Sequence, residues 1–239
     1  MLLVRDSARI VGLVQARMGS RRLPGKVMLP LAGKPMLERL IERARTSRHL
    51  TALAVATSVE AADDRIEELC TRLGVSCFRG SETDVLRRML EAARLMRAEV
   101  IVRITGDNPL VGGDLIDYLI EGLISSPTGL AYAHTAEETG FPFGLTVEAI
   151  TMDALQSADA SMHPADREHV TLFVRRQPEK YPTLGVKAPG SFPPEPLTVD
   201  TEADYHRVKA LFEKLYAENP SFGFQDVMVA VSSNHEVAE

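Results

Sequence analysis

A short apolar run followed by a helical repeat, and then the same pair again, most constrains what this chain can fold into. Residues 10–15 (IVGLVQ) read as a buried strand. Met36, Leu37, Leu40, Ile41 and Ala44 then recur at helical spacing behind Pro35, a residue favoured at the first helical position. Residues 53–57 predict a second strand. Ile66, Leu69, Cys70 and Leu73 predict a second helix, with Gly74 as its stop. A strand over 75–78, a helix on Val85, Leu86, Met89, Leu90 and Ala93, a strand over 100–105 and a helix over 115–124 follow. Strand–helix alternation of this kind predicts an α/β fold, with a mostly parallel sheet between two helix layers.

Beyond residue 125 the pattern loosens. Pro127, Gly129, Gly140, Pro142 and Gly144 punctuate it. A strand is expected over 145–150, a helix over 165–176, a proline-rich loop over 187–196, a short strand over 197–199 and a helix over 203–218. The expected organisation is one domain over 1–239, with a smaller inserted region over 127–190.

Composition narrows the partners. The 239 residues carry 27 Lys and Arg against 33 Asp and Glu, a net charge of −6. An acidic chain is a poor general nucleic-acid binder, because that binding rests on many basic contacts to phosphate. With no Trp and 5% aromatics it also lacks a stacking platform for single strands. Arg5, Asp6 and Arg9 interrupt the apolar start, so no signal-peptide core is expected. No apolar run approaches the roughly 20 residues that span a bilayer. Cys70 and Cys77 read as core thiols, without metal-ligand spacing. The chain reads as cytoplasmic, without membrane or nucleic-acid partners.

In open α/β sheets, ligands bind beyond the carboxyl ends of the strands. After the first strand, residues 16–26 (ARMGSRRLPGK) pack Arg17, Arg21, Arg22 and Lys26 with Gly19 and Gly25. Glycines let the backbone approach an anion, and the cations suit phosphate. It is not a P-loop: the glycines stand one residue too far apart, and Val27 replaces the metal-binding hydroxyl residue. Asp107 follows the strand over 100–105, and Asp200 follows the one expected over 197–199. Singly, each could be a turn or capping residue. Together, facing one phosphate loop, they suit Mg2+, which takes one or two carboxylates and completes its shell with water and phosphate.

Residues 16–26 and Gly33-Lys34-Pro35-Met36-Leu37 resemble the opening of the cytidylyltransferases of the spore coat polysaccharide biosynthesis protein F type. Their relatives are the 3-deoxy-manno-octulosonate and acylneuraminate cytidylyltransferases. Further matches run in order through Val55-Ala56-Thr57-Ser58, Phe78-Arg79-Gly80-Ser81-Glu82, Asp84-Val85-Leu86, residues 102–107, Arg167-Glu168-His169-Val170-Thr171 and Thr198-Val199-Asp200-Thr201. The resemblance implies a nucleotide-diphospho-sugar transferase fold. It implies transfer of CMP from CTP to a hydroxyl of a sugar or sugar acid, with Mg2+, release of pyrophosphate, and a homodimer. Carried over by motif, Arg17, Gly19, Ser20, Arg22 and Lys26 would hold the triphosphate. Asp107 and Asp200 would hold the metal, and Arg17, Lys26 and Asp107 would carry catalysis. Arg79, Gly80 and Ser81 would lie near the cytidine. The family's Pro-Asp-Gly-Leu-Asp-Val-Glu segment reads Pro142-Phe143-Gly144-Leu145-Thr146-Val147-Glu148 here, so two carboxylates are gone where the sugar is expected. Asn108 follows the metal-site aspartate, where this branch often has cysteine.

His169, with Glu168 and Arg167, reads either as an acceptor or subunit contact or as a helix-surface network. His134 and Glu148 are weaker candidates. His49, His163, His206 and His235 have no metal-ligand spacing. Two other readings compete: a glycosyltransferase using a nucleotide-sugar donor, against which stands the missing Asp-x-Asp motif, and a catalytically silent scaffold subunit, against which stands the intact basic loop.

Overall fold

The computed structural model describes residues 8–126, 129–192 and 195–236. Its first half follows the expected alternation. β1 (Ile10–Gln15) leads through two-residue strands β2 (Pro30–Leu31) and β3 (Lys34–Pro35) into α1 (Met36–Ala44). Then come β4 (Ala52–Ser58), α2 (Asp64–Leu73), β5 (Ser76–Gly80), α3 (Val85–Leu95), β6 (Val100–Thr105) and α4 (Gly113–Ser125). Local chemistry sets the ends. Gly74, at φ 60°, closes α2 in the left-handed conformation that glycine adopts freely. The Asp84 carboxylate accepts the Arg87 N–H at 2.9 Å and opens α3. The second half comprises β7 (Tyr132–His134), β8 (Glu148–Thr151), α5 (Met152–Ser161), α6 (Leu172–Arg175), β9 (Thr183–Gly185), α7 (Glu202–Glu218) and α8 (Phe224–Glu236).

Among the described residues, seven strands form one sheet in the order β5-β4-β1-β6-β8-β7-β9. The pairs β1–β4, β1–β6, β4–β5 and β7–β9 are parallel, and β8 runs antiparallel to both of its neighbours. Alternate residues of β1 face opposite cores. Val14 joins the buried cluster under α1, α2, α4, α7 and α8, whereas Val11 and Leu13 join the one under α3, α5 and α6. The sheet thus lies between two helix layers, as the alternation predicts. Because β1 pairs with β4 on one side and β6 on the other, a crevice opens where their carboxyl ends diverge.

Several expectations need correction. The strand expected over 145–150 begins only at Glu148, because Leu145 O and Val147 N bond the Thr135 hydroxyl in a tight turn instead of a ladder. Residues 197–199 form no strand: the Leu197 and Val199 N–H groups bond the loop carbonyls of Phe143 and Asp107. The helix expected over 165–176 is broken into a 3-10 turn, Pro164–Asp166, and the short α6. Its backbone and side chains are drawn into tertiary bonds, since Arg167 O accepts from Leu86 N and the Thr171 hydroxyl donates to Glu148. Pro35 precedes α1 in extended conformation, one residue outside the helix. Pro127, Pro193 and Pro194, within the expected inserted region and proline-rich loop, lie outside the described residues, as does the N-terminal stretch 1–7.

Candidate active site

The loop after β1 folds back on the sheet because several of its backbone groups are held. The Met18 N–H donates to Asp63 Oδ1 at 2.7 Å, and Gly25, at φ 71°, returns its N–H to Met18 O at 2.9 Å. Asp63 is itself buried, accepting from the Thr57 hydroxyl at 2.8 Å and Ser58 N–H at 3.0 Å. Burial opposes its ionisation. The hydrogen bonds from Ser58, Met18 and Thr57 outweigh that and keep its carboxyl below the usual carboxylate range. At the other side of the crevice, Gly106 donates to Gln15 O at 2.9 Å. A side chain there would crowd Ala16 and that same carbonyl, each 3.1 Å from the added carbon, so the approach of the two loops requires glycine.

Lys26 is the hinge of the site. Its ammonium, 10% exposed, lies 2.8 Å from Asp107 Oδ2, 2.9 Å from Asp200 Oδ1 and 2.8 Å from Val199 O. All three of its protons are therefore taken. The residues that the sequence places in separate segments, Lys26, Asp107 and Asp200, meet at one point. Arg22 adds a second cation, 2.8 Å from Asp200 Oδ2. Arg17 pairs with Glu168 at 2.9 Å, so residue 168 reaches the phosphate-loop candidate. Three of the loop's four cations are thus neutralised by carboxylates within the chain.

Asp200 is free to face Lys26 because it is not the cap of α7. Thr201 is the cap, accepting from Asp204 N at 3.2 Å, while Asp204 Oδ2 accepts from Thr201 N at 2.9 Å. Burial opposes ionisation of Asp204, but bonds from Thr201 and Arg207 bring its pKa down to about 2. The segment before Asp200 is seated on Asp107, whose carbonyl accepts from Val199 N at 2.9 Å.

Two carboxylate oxygens converging within 3 Å of one cation form an all-oxygen donor set suited to Mg2+, so the residues fit that ion. Among the described residues no cluster of three or more His, Cys, Asp or Glu side chains forms a metal cage, so water and phosphate would complete the shell.

The remaining expected site residues lie at the β5 end. Arg79 is held by Asp64 at 2.6 Å, Glu67 at 2.9 Å and the carbonyls of Ser58 and Glu60, a clasp on the turn between β4 and α2. Gly80 O accepts from Val59 N at 3.0 Å, and the Ser81 hydroxyl accepts from Asp84 N at 3.0 Å. The Ser20 hydroxyl accepts weakly from Leu23 N at 3.3 Å. A carbon added at Gly19 would lie 3.1 Å from Glu82 Oε1, so the turn after β5 touches the loop after β1.

Sequence reasoning underrated a buried polar network beside the crevice. Glu148 accepts from Arg103, from the Tyr132 hydroxyl and from the Thr171 hydroxyl, the last at 2.7 Å. Arg103 also donates to Gln15 Oε1 at 3.0 Å. Burial alone would raise the pKa of Glu148, but Arg103 and the two hydroxyls hold it below the usual range. One signal was legible: Arg103 is the lone charge in an apolar strand. Arg167 is drawn to Asp84 at 2.7 Å and to Asp159, so it fastens α3 to α5, while His169 is exposed. Burial lowers the pKa of His134, which stacks on Tyr132. Phe143 is 45% exposed on the turn whose carbonyl accepts from Leu197 N, and Thr146 is half-buried.

The family model described as cytidylyltransferase matches residues 11–222. The spore coat polysaccharide biosynthesis protein SpsF of Bacillus subtilis (strain 168) is 35% identical over 237 residues, 96% of this chain and 96% of that protein. The solved structure of a cytidylyltransferase from Leptospira borgpetersenii serovar Hardjo-bovis (strain JB197) superposes with a TM-score of 0.89 at 30% identity, covering 96% of both chains. At 22% identity and a TM-score of 0.65, CMP:2-keto-3-deoxy-manno-octonic acid synthetase complexed with CTP shares the fold over 87% of this chain and 99% of that one. The crevice with its basic loop and paired aspartates sits inside the matched span, and the chain belongs to the cytidylyltransferase family of nucleotidyltransferases.

Proposed function

We propose that this protein transfers CMP from CTP to a hydroxyl of a sugar or sugar acid and releases pyrophosphate, supplying an activated sugar for a surface polysaccharide. The observation that carries the reading is the convergence of Lys26, Asp107 and Asp200, with Arg22, at the carboxyl ends of β1 and β6. The family match, the polysaccharide role in the name of the Bacillus relative and the CTP complex of the structural neighbour support it. In this reading Arg17, Gly19, Ser20, Arg22 and Lys26 hold the triphosphate, Asp107 and Asp200 hold Mg2+, and Gly80 and Ser81 flank the cytidine. Arg79 serves from behind by fixing the β4–α2 turn. The protein acts as a cytoplasmic homodimer, with the region from 127 to 190 furnishing acceptor and subunit contacts.

The acceptor oxygen bonds to the α-phosphorus, the bond from that phosphorus to the α–β bridging oxygen breaks with its electron pair leaving on pyrophosphate, and the acceptor proton passes to solvent water. The charge to be managed sits on the triphosphate. Two unit charges 4 Å apart interact by about 1 kcal/mol in water and about 4 kcal/mol at an effective dielectric of about 20, so cations in a part-buried loop count most. Bound Mg2+ would screen the phosphates and polarise the reacting phosphoryl oxygen. Asp107 and Asp200 would be its protein ligands. With both carboxylates given over to the metal, Arg22, and Lys26 still seated on Val199 O, would be left to bond phosphate oxygens. The loss of two carboxylates at Phe143 and Thr146 leaves the acceptor side less acidic, which favours an anionic acceptor such as a sugar acid.

The test is pyrophosphate release from CTP against a panel of sugars and sugar acids. Release with at least one acceptor, dependent on a divalent cation and lowered about 10³-fold in Asp107→Ala with the fold intact, is the expected result. Wild-type turnover in Asp107→Ala removes the metal assignment.

A further inference from the structure

Arg88 lies in α3, outside every role assigned above, and it is 1% exposed. No carboxylate lies within ion-pair distance of it among the described residues, and its Nε atom has no hydrogen-bond partner. Burial, with the Arg17 charge adding to it, lowers its pKa to about 10, so it stays charged at neutral pH. A buried, unpaired guanidinium is costly, and an apolar side chain of the same size would be the more stable choice. What it does is visible in its contacts. One terminal nitrogen donates to both Ser81 O and Glu82 O, the latter at 3.3 Å, and its aliphatic stem packs against Gly80.

Those two bonds orient the turn. Across a trans peptide, the carbonyl of one residue and the N–H of the next point in opposite directions. With the Ser81 and Glu82 carbonyls drawn inward to Arg88, the N–H groups of Glu82 and Thr83 point outward, and no acceptor within the described residues takes either of them. The turn abuts the basic loop at Gly19, so these two donors border the crevice.

We propose that Arg88 is a positioning residue for nucleotide recognition: it clamps the turn at 81–83 so that two adjacent backbone N–H groups face the base. Two adjacent donors match a base edge with two adjacent acceptors, as cytosine has in O2 and N3. They mismatch uracil, whose N3 carries a proton. The inference rests on the reading that the crevice binds CTP.

The test is binding of CTP, UTP and inorganic tripolyphosphate, each with Mg2+, to wild type and Arg88→Met by titration calorimetry, beside melting curves. Arg88→Met is expected to fold with undiminished stability, to bind CTP about ten-fold or more weakly, and to lose most of its preference for CTP over UTP. Tripolyphosphate affinity should stay within about two-fold, which a merely electrostatic or structural role would not leave unchanged. If Arg88→Met fails to fold, Arg88→Gln serves: its shorter, neutral side chain cannot reach both carbonyls, and the CTP preference should still fall. Unchanged CTP preference in a folded variant, or CTP and tripolyphosphate weakening by the same factor, overturns the inference. A wild-type protein that binds neither CTP nor UTP overturns the underlying function reading instead.

Discussion

Lys26 holds the two aspartates in the place that a divalent cation would take, using all three of its protons to do so. On the proposed reading, metal and lysine would compete for the same carboxylates. Lys26→Met leaves Asp107 facing Asp200 with only Arg22 nearby. Mn2+ added without nucleotide, followed by electron paramagnetic resonance, should bind that variant at least about ten-fold more tightly than wild type. Equal affinity would mean that the lysine does not guard the site. Glu148 makes a different case, since it is enclosed and paired with Arg103. Glu148→Gln leaves the part-buried Arg103 guanidinium without its counter-charge, a loss of about 3 kcal/mol measurable by urea unfolding. The sequence offered Lys26, Asp107 and Asp200 as candidates because each follows a strand or, for Asp200, an apolar run expected to be one. It could not offer Asp63, Arg88 or the Glu148 network with the same force, because their meaning lies in partners far away in the chain.

At the scale of elements, one turn positions the segment that bears Asp200. Gly144 has φ 108°, and a side chain added there would run into the backbone of Leu197 and Thr198. Gly33 also has positive φ, at 79°, but nothing lies within 4 Å of its added carbon. The two glycines separate strain from collision. Gly33→Ala should cost about 1 kcal/mol in urea unfolding, and Gly144→Ala about 3 kcal/mol or more, with the 197–200 segment displaced from Asp107. The eight elements β1, α1, β4, α2, β5, α3, β6 and α4 were legible because their apolar residues repeat at strand or helix period over whole segments. After residue 125, α7 and most of β8 were legible, but α5 and the short strands β7 and β9 were not, because they owe their pairing to neighbours rather than to period. The signal for α5 is local: Thr151 caps it by accepting from Ala154 N at 3.4 Å. The run over 165–176 looked helical, yet Arg167 and Thr171 bond to Asp84 and Glu148 instead.

Over the whole molecule, the net charge of −6 conceals a site assembled from opposed charges. Its cations and carboxylates neutralise one another, and on the proposed reading nucleotide and metal together would take up those charges. Acid should dismantle the fold through its structural carboxylates. Asp63, Asp117, Glu148 and Asp204 all titrate below the ordinary carboxylate range in the fold. A depressed folded pKa contributes stability that is full above the unfolded pKa and is lost as pH falls through the folded one. Unfolding free energy should therefore hold between pH 7 and about 5 and fall steeply below about 4, as followed by chemical denaturation.

The same coupling of charges ties nucleotide binding to the metal whatever the acceptor, on the proposed reading. The direct measurement is calorimetric titration of CTP into the protein with Mg2+ and with a chelator. Tight binding with Mg2+ and weak binding without it are expected, a gap that closes when Asp107 and Asp200 are both changed to Asn. Binding of equal strength in the presence and absence of the metal, or a gap that survives the double substitution, would contradict it.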